Sequence, residues 1–118
     1  MVTEERAERA LAYLIKITDD TELCADGARR SPLAIAVQEA LMAEHMRKHV
    51  WAIEWQKIEG AQGKRDAEAY ASSAYRAAVE EMAASAARLE VLRARINSAK
   101  IAIEVWRSQN ANRRGPNL

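Results

Sequence analysis

From Ala74 to Asn110 the chain contains neither glycine nor proline and is rich in Ala, Glu, Arg, Leu and Ile. Those residues are strong helix formers, and nothing in the stretch supplies the left-handed or kinked backbone that would end a helix. Tyr75, Val79, Met82, Ala86, Leu89, Ile96 and Ile103 recur in steps of three and four apart from one gap, and Leu92, Ala99 and Trp106 widen the same stripe. This is the period of an amphipathic helix. The spacing predicts one helix over 74–110, roughly 55 Å long. Its opposite side also gathers apolar residues, namely Val91, Ala94, Ile101, Ala102 and Val105. A helix apolar on two faces needs two partners. One is expected to be the chain's own second helix and the other a further subunit, so a homo-oligomer is expected.

The preceding chain reads as helical too. Thr3 is placed to cap a first helix over 4–18, with Glu4 and Glu5 beside the positive end of its dipole. Ala7, Ala10, Leu11, Leu14 and Ile15 give that helix a narrow apolar face. Thr18-Asp19-Asp20-Thr21 ends it. Residues 21–30 read as a short helical or kinked approach, weakened by Gly27. Ser31 followed by Pro32 is a strong start signal, and a second long helix is predicted over 32–59. Gly60-Ala61-Gln62-Gly63 closes it, with Gly60 in a left-handed conformation. Asp66 is placed to cap a short helix over 67–71, which Ser72-Ser73 breaks. No segment alternates apolar and polar residues, so no sheet is expected. The predicted architecture is all-α: an elongated helical hairpin or bundle of one short and two long helices, oligomeric. It forms a single domain over 1–112 with a flexible basic tail, 113–118, carrying Arg113-Arg114-Gly115-Pro116.

With 118 residues and a net charge of +1, the chain supports one modest core. The charge is unevenly spread. Residues 1–87 hold 11 basic and 15 acidic side chains, whereas residues 88–118 hold 7 and 2. Within the basic end Arg93, Lys100, Arg107 and Arg114 follow a seven-residue repeat along one border of the apolar stripe, and Arg88 and Arg95 lie along the other. Such a line suits phosphates or an acidic partner. A solvated helix end with cations near its negative pole accounts for Arg107, Arg113 and Arg114, but not for a stripe that begins turns earlier. Arg47-Lys48 and Lys64-Arg65 are further basic pairs, and with Arg93, Lys100 and Arg107 they complete the candidate nucleic-acid-binding set.

Other chemistries have little support. The single Cys24 excludes an internal disulfide framework and, between Glu22 and Asp26, lacks the positive surroundings that activate a thiol. His45 and His49 have the spacing of a two-histidine metal site but no third ligand in view. No glycine-rich phosphate loop, nucleophile elbow or Cys/His zinc pattern occurs. Neither enzymatic activity nor a cofactor is expected. No apolar run reaches the roughly 20 residues that span a membrane, and the N-terminus lacks the pattern of a secretory signal, so a cytoplasmic location is expected. Trp51, Trp55 and Trp106 suit either stacking on unpaired bases or packing with their indole N–H groups on a polar rim.

From Ala94 onward, ARINSAKIAIEVWRSQNANRRG resembles the closing segment of small helical proteins of phages and prophages. There an acidic and apolar helix runs through a stretch like A-x-x-A-I-E-V-W-R-S/T into a basic tail. ALAYLIKITDDTEL near the N-terminus and the region from Asp66-Ala67-Glu68-Ala69-Tyr70 to Tyr75-Arg76 also match that pattern. The layout is similar to that of the UvsY-type recombination mediators of T-even phages. The resemblance covers most of the chain in layout and is specific over Ser98 to Arg107. It implies an oligomer that binds single-stranded DNA and helps load a recombinase onto DNA covered by single-strand binding protein, in the cytoplasm of the host cell. The chain departs from those mediators where Glu44, Glu54 and Glu59 dilute the basic second helix and where Gly27 and Pro32 interrupt it. The mildly acidic residues 1–87 support a different expectation, a small phage module that engages or inhibits a host protein.

Overall fold

The computed structural model of the protein describes residues 1–114. Among them the elements run α1 (Glu4–Leu14), a π-helical turn (Ile15–Asp19), β1 (Glu22–Leu23), β2 (Arg29–Arg30), α2 (Pro32–Lys57), α3 (Gln62–Ala71) and α4 (Ser73–Arg114). The fold is mostly helical. By packing it divides into two compact units, one formed by residues 1–35 with 90 onward and the other by residues 36–89. Helix α4 contributes to both. It continues through Arg113 and Arg114, where a flexible tail was expected, and the remainder of that tail, 115–118, lies outside the described residues.

The helix starts follow their capping residues. The Arg6 N–H donates to Thr3 Oγ1 at 3.2 Å, and the Ala34 N–H donates to Ser31 Oγ at 3.2 Å, so α2 begins at Pro32. Ser72 does the same for α4 through the Tyr75 N–H. The first helix ends its regular part at Leu14. There the Thr18 hydroxyl donates to the Leu14 carbonyl at 2.6 Å, and the Asp20 N–H bonds back to Ile15, five residues earlier. Gly60 has φ +126°, and the shorter α2 leaves room for an α3 that begins at Gln62 rather than near Ala67.

Residues 21–30 differ from the expectation of helix. They form a small antiparallel hairpin in which Glu22 pairs with Arg30 and Leu23 with Arg29. Gly27, at φ +85°, adopts the left-handed conformation that such a turn needs and that other residues rarely take. Asp26 holds the turn closed: its carboxylate accepts from the Ala28 N–H at 3.0 Å and from Arg30 at 3.0 and 2.8 Å. The Arg30 guanidinium, with the Ala28 amide behind it, lowers the Asp26 carboxyl from 3.8 to about 2.

On α4 the line Tyr75, Ala78, Met82, Ser85, Leu89, Leu92, Ile96, Ala99, Ile103, Trp106 and Asn110 is buried or half-buried at every position. Its steps alternate three and four without a break, the seam of a helix packed along its length. Two expected members lie beside it: Val79, which is half-buried next to Ala78, and Ala86, which is exposed while Ser85 is 1 % exposed. Ser85 is tolerated there because its hydroxyl donates to the carbonyls of Glu81 and Met82 at 2.9 and 3.1 Å. In the first unit α1 lies on this seam, with Ala10, Ala99 and Ala102 as the buried centre and Val2, Tyr13, Leu14 and Ile103 around it. The Val2 N–H reaches Gln109 at 3.2 Å, which makes α1 antiparallel to α4. In the second unit Ala36, Ala43, Ala69, Ser85 and Leu89 are buried.

Two outcomes test this account. Ile96→Asp places an unpaired charge at a position 8 % exposed and is expected to cost about 3 kcal/mol or more, with a large fall in melting temperature by circular dichroism. Glu104→Ala, on the exposed side, leaves the melting temperature within a degree or two. In the hairpin, the Asp26–Arg30 contact is fully present above the ordinary carboxylate value of 3.8 and is lost as the pH falls towards about 2. An NMR titration of the Asp26 carboxyl in Arg30→Ala is expected to return its midpoint towards 3.8.

Candidate nucleic-acid interface

The sequence-derived basic residues divide between the two units. Arg47, Lys48, Lys64 and Arg65 lie in the unit of residues 36–89, and Arg93, Lys100 and Arg107 in the other.

In the first group, two guanidiniums are engaged within the protein. Arg47 is half-buried and donates to the Tyr75 hydroxyl at 3.1 Å, while its Nε is buried without a partner. Arg65 lies over the Trp55 ring, its guanidinium carbon 3.4 Å from the centroid, and donates twice to the Trp55 carbonyl at 3.3 and 3.1 Å. The Trp55 indole N–H in turn donates to Asp66 at 2.9 Å. This ties the end of α2 to the start of α3. Lys48 and Lys64 are exposed, Lys64 with Glu68 at 3.9 Å.

The aromatic rings pack on one another. Trp51 stacks on Trp55 with centroids 6.4 Å apart, Trp51 meets Tyr70 at 5.5 Å, and Tyr70 meets Tyr75 edge-on at 5.4 Å. Arg65 covers one face of Trp55, and Trp51, Trp55 and Tyr75 are half-buried, whereas Tyr70 is exposed. Trp106 is half-buried on the α4 seam in the other unit.

In the second group, Arg93 pairs with Glu90 at 3.0 Å on the surface, a contact worth little in water. Lys100 and Arg107 are exposed and make no hydrogen bond or ion pair among the described residues. Arg107, however, shares a small cleft with Glu4 and Glu8 of α1, which offset its field.

A second basic surface lies on the other side of α1, and it was not apparent from the sequence. A shallow groove of about 360 Å³ runs between α1 and α4, edged by Arg6, Arg9 and Arg95 and floored by Ala10, Ala99 and Ala102. No carboxylate lines it. The three guanidinium groups make no hydrogen bond or ion pair among the described residues. Tyr13, also in the lining, has its hydroxyl buried without a partner. Antiparallel packing brings Arg95 beside Arg6 and Arg9, which are three residues apart and therefore on one face of α1. The spacing of Arg6 and Arg9 was visible in the sequence, but their meeting with Arg95 depends on tertiary structure. Chemically, three unpaired guanidiniums around an apolar floor form an anion site with bidentate donors.

His45 and His49 are both exposed on α2. Among the described residues, no three His, Cys, Asp or Glu side chains gather as a metal site would need, and no helix is long and apolar enough to cross a membrane. Comparison with protein-family models, curated proteins and solved structures gives no match, so the likeness to phage recombination mediators rests on the sequence segments alone.

Arg65→Ala removes the ring contact and both hydrogen bonds to Trp55. It is expected to lower stability by about 1–2 kcal/mol and to shift tryptophan fluorescence. Lys64→Ala is expected to do neither.

Proposed function

We propose that the protein binds the phosphate backbone of single-stranded DNA and acts as an accessory factor in phage recombination, of the mediator type its sequence resembles. The observation that supports this is the groove of Arg6, Arg9 and Arg95, whose guanidiniums are not neutralised within the protein. Exposed Lys100 and Arg107 add positive charge on the other border of α4, with Arg93, Lys48 and Lys64 as outlying contacts. Arg47 and Arg65 act through the fold, holding Tyr75 and Trp55. By resemblance the partners are a recombinase and single-strand binding protein in the host cytoplasm.

A second reading is supported by α2, where Leu41, Met42, Met46 and Ile53 are exposed. Flexible methionines on an open helix face suit docking to another protein, as in a module that engages a host protein.

Titration of a labelled oligothymidylate at two salt concentrations separates the two. Three phosphate contacts give a slope of about −2 in log affinity against log salt. Arg6→Ala with Arg9→Ala is expected to flatten that slope and weaken all base sequences alike, because phosphates carry no sequence information. Lys100→Ala with Arg107→Ala gives a smaller loss. No binding by the unmodified protein at low salt rejects the nucleic-acid reading and leaves the protein-docking one.

A further inference from the structure

Helix α4 carries a second alternating line that is exposed at every position, with Ser98 at the edge of the groove beside α1. Val91, Ala94, Ser98, Ile101, Val105 and Ser108 step by three and four residues, and all six are exposed, Val91 at 49 %, Ile101 at 51 % and Val105 at 39 %. At 100° per residue this line points about 150° away from the buried seam. Isolated exposed apolar residues are ordinary, but a repeat in register over more than two heptads is the pattern of a helix paired with another helix.

We infer that two copies of this chain associate through this line of α4, parallel and in register.

The flanking charges select the partner and its direction. Glu90, whose Oε1 also holds Arg93 at 3.0 Å within the chain, borders the line on one side and Arg95 on the other, five residues later, and both are exposed. In a parallel in-register pair each border residue meets the opposite border residue five positions on, so Glu90 faces Arg95 of the second copy, and symmetry makes the contact twice. The next border positions are Asn97 and Glu104 on one side and, on the other, Ala102, which is buried under α1, and Gln109, which accepts from the Val2 N–H, and none of these sets like charges together. An antiparallel pair places each border against itself, bringing Glu90 towards Glu104 and leaving Arg95 opposite Gln109, with no acid to meet it. The surface is therefore self-complementary in one direction only. Ala94, Ser98 and Ser108 are small enough for the two backbones to approach closely. Arg95 has further N–H donors free for the groove beside it, and pairing does not depend on the nucleic-acid reading.

Cysteine crosslinking reads the arrangement directly. With Cys24→Ser as background, Val91→Cys and Ile101→Cys are each expected to oxidise to a disulfide-linked dimer with their own kind. A mixture of the two should give no 91–101 heterodimer. Sedimentation of the unmodified protein is expected to show twice 13.2 kDa or an even multiple. Ile101→Asp should sediment as a monomer with unchanged helicity, because the position is exposed within one chain. Glu90→Lys or Arg95→Glu should each weaken pairing about fivefold, as two exposed ion pairs allow, and the two together should restore it. A monomer at high micromolar concentration without crosslinks at either site overturns the proposal. So does a predominant 91–101 crosslink, which marks an antiparallel pair. If Ile101→Asp loses helicity, the crosslinks and the charge swap still decide the question. Arg6→Ala with Arg9→Ala leaves pairing intact, so loss of DNA binding and loss of pairing are distinguishable.

Discussion

The alternating line from Tyr75 to Asn110 on α4 sets where the other helices can lie. Its positions are narrow at many of the contacts: Ala78, Ser85 and Ala99 on α4, and Ala7, Ala10, Ala36 and Ala43 on the helices around it. Helices that meet through alanine and serine approach closely, because interaxial distance follows the side chains at the contact. Each such residue buries little apolar area, and at about 25 cal/mol per Å² the hydrophobic gain per position is small. Leu89, Ile96 and Ile17 therefore matter disproportionately as the larger buried side chains. Close approach also explains how a chain without phenylalanine can pack at all.

The helices were legible because their signals are local. Thr3, Ser31-Pro32 and Ser72 each place a cap, and the run without Gly or Pro allows α4 to continue. The register of the buried seam was less legible. Sequence reasoning prefers Val79 and Ala86 to Ala78 and Ser85 because it ranks hydrophobicity, whereas Ser85 is buried with its hydroxyl bonded to the Glu81 and Met82 carbonyls and Ala86 is exposed. The hairpin was missed because strands of two residues cannot show alternation. Its only signal in the sequence is Asp26-Gly27, and a single glycine there reads equally as a weak point in a helix or as the residue a tight turn needs.

The candidate site was legible as a charge imbalance and illegible as geometry. A basic residue in sequence is a formal charge, and whether that charge is available to a ligand is a tertiary property. Arg65 and Arg95 illustrate this. Arg65 is spent on the ring and carbonyl of Trp55. Arg95 has no hydrogen bond or ion pair among the described residues and lines the same groove as Arg6 and Arg9. Arg47, aimed at Tyr75, belongs with Arg65. Counting cations along the chain weighs all of these alike, whereas desolvation and hydrogen bonding do not.

Ile96 and Ile101 show how one helix carries two different requirements. They are the same residue on the same helix, 8 % and 51 % exposed. At Ile96 the apolar side chain is explained by α4's own packing. At Ile101 about half of the residue is open to solvent, so the helix's own packing does not require isoleucine there. The helix propensity of isoleucine is also no better than that of Lys, Glu or Gln, so local preference does not account for it either. In the pairing proposed above, the opposed charges of Glu90 and Arg95 at the borders of that line make an identical helix its complement.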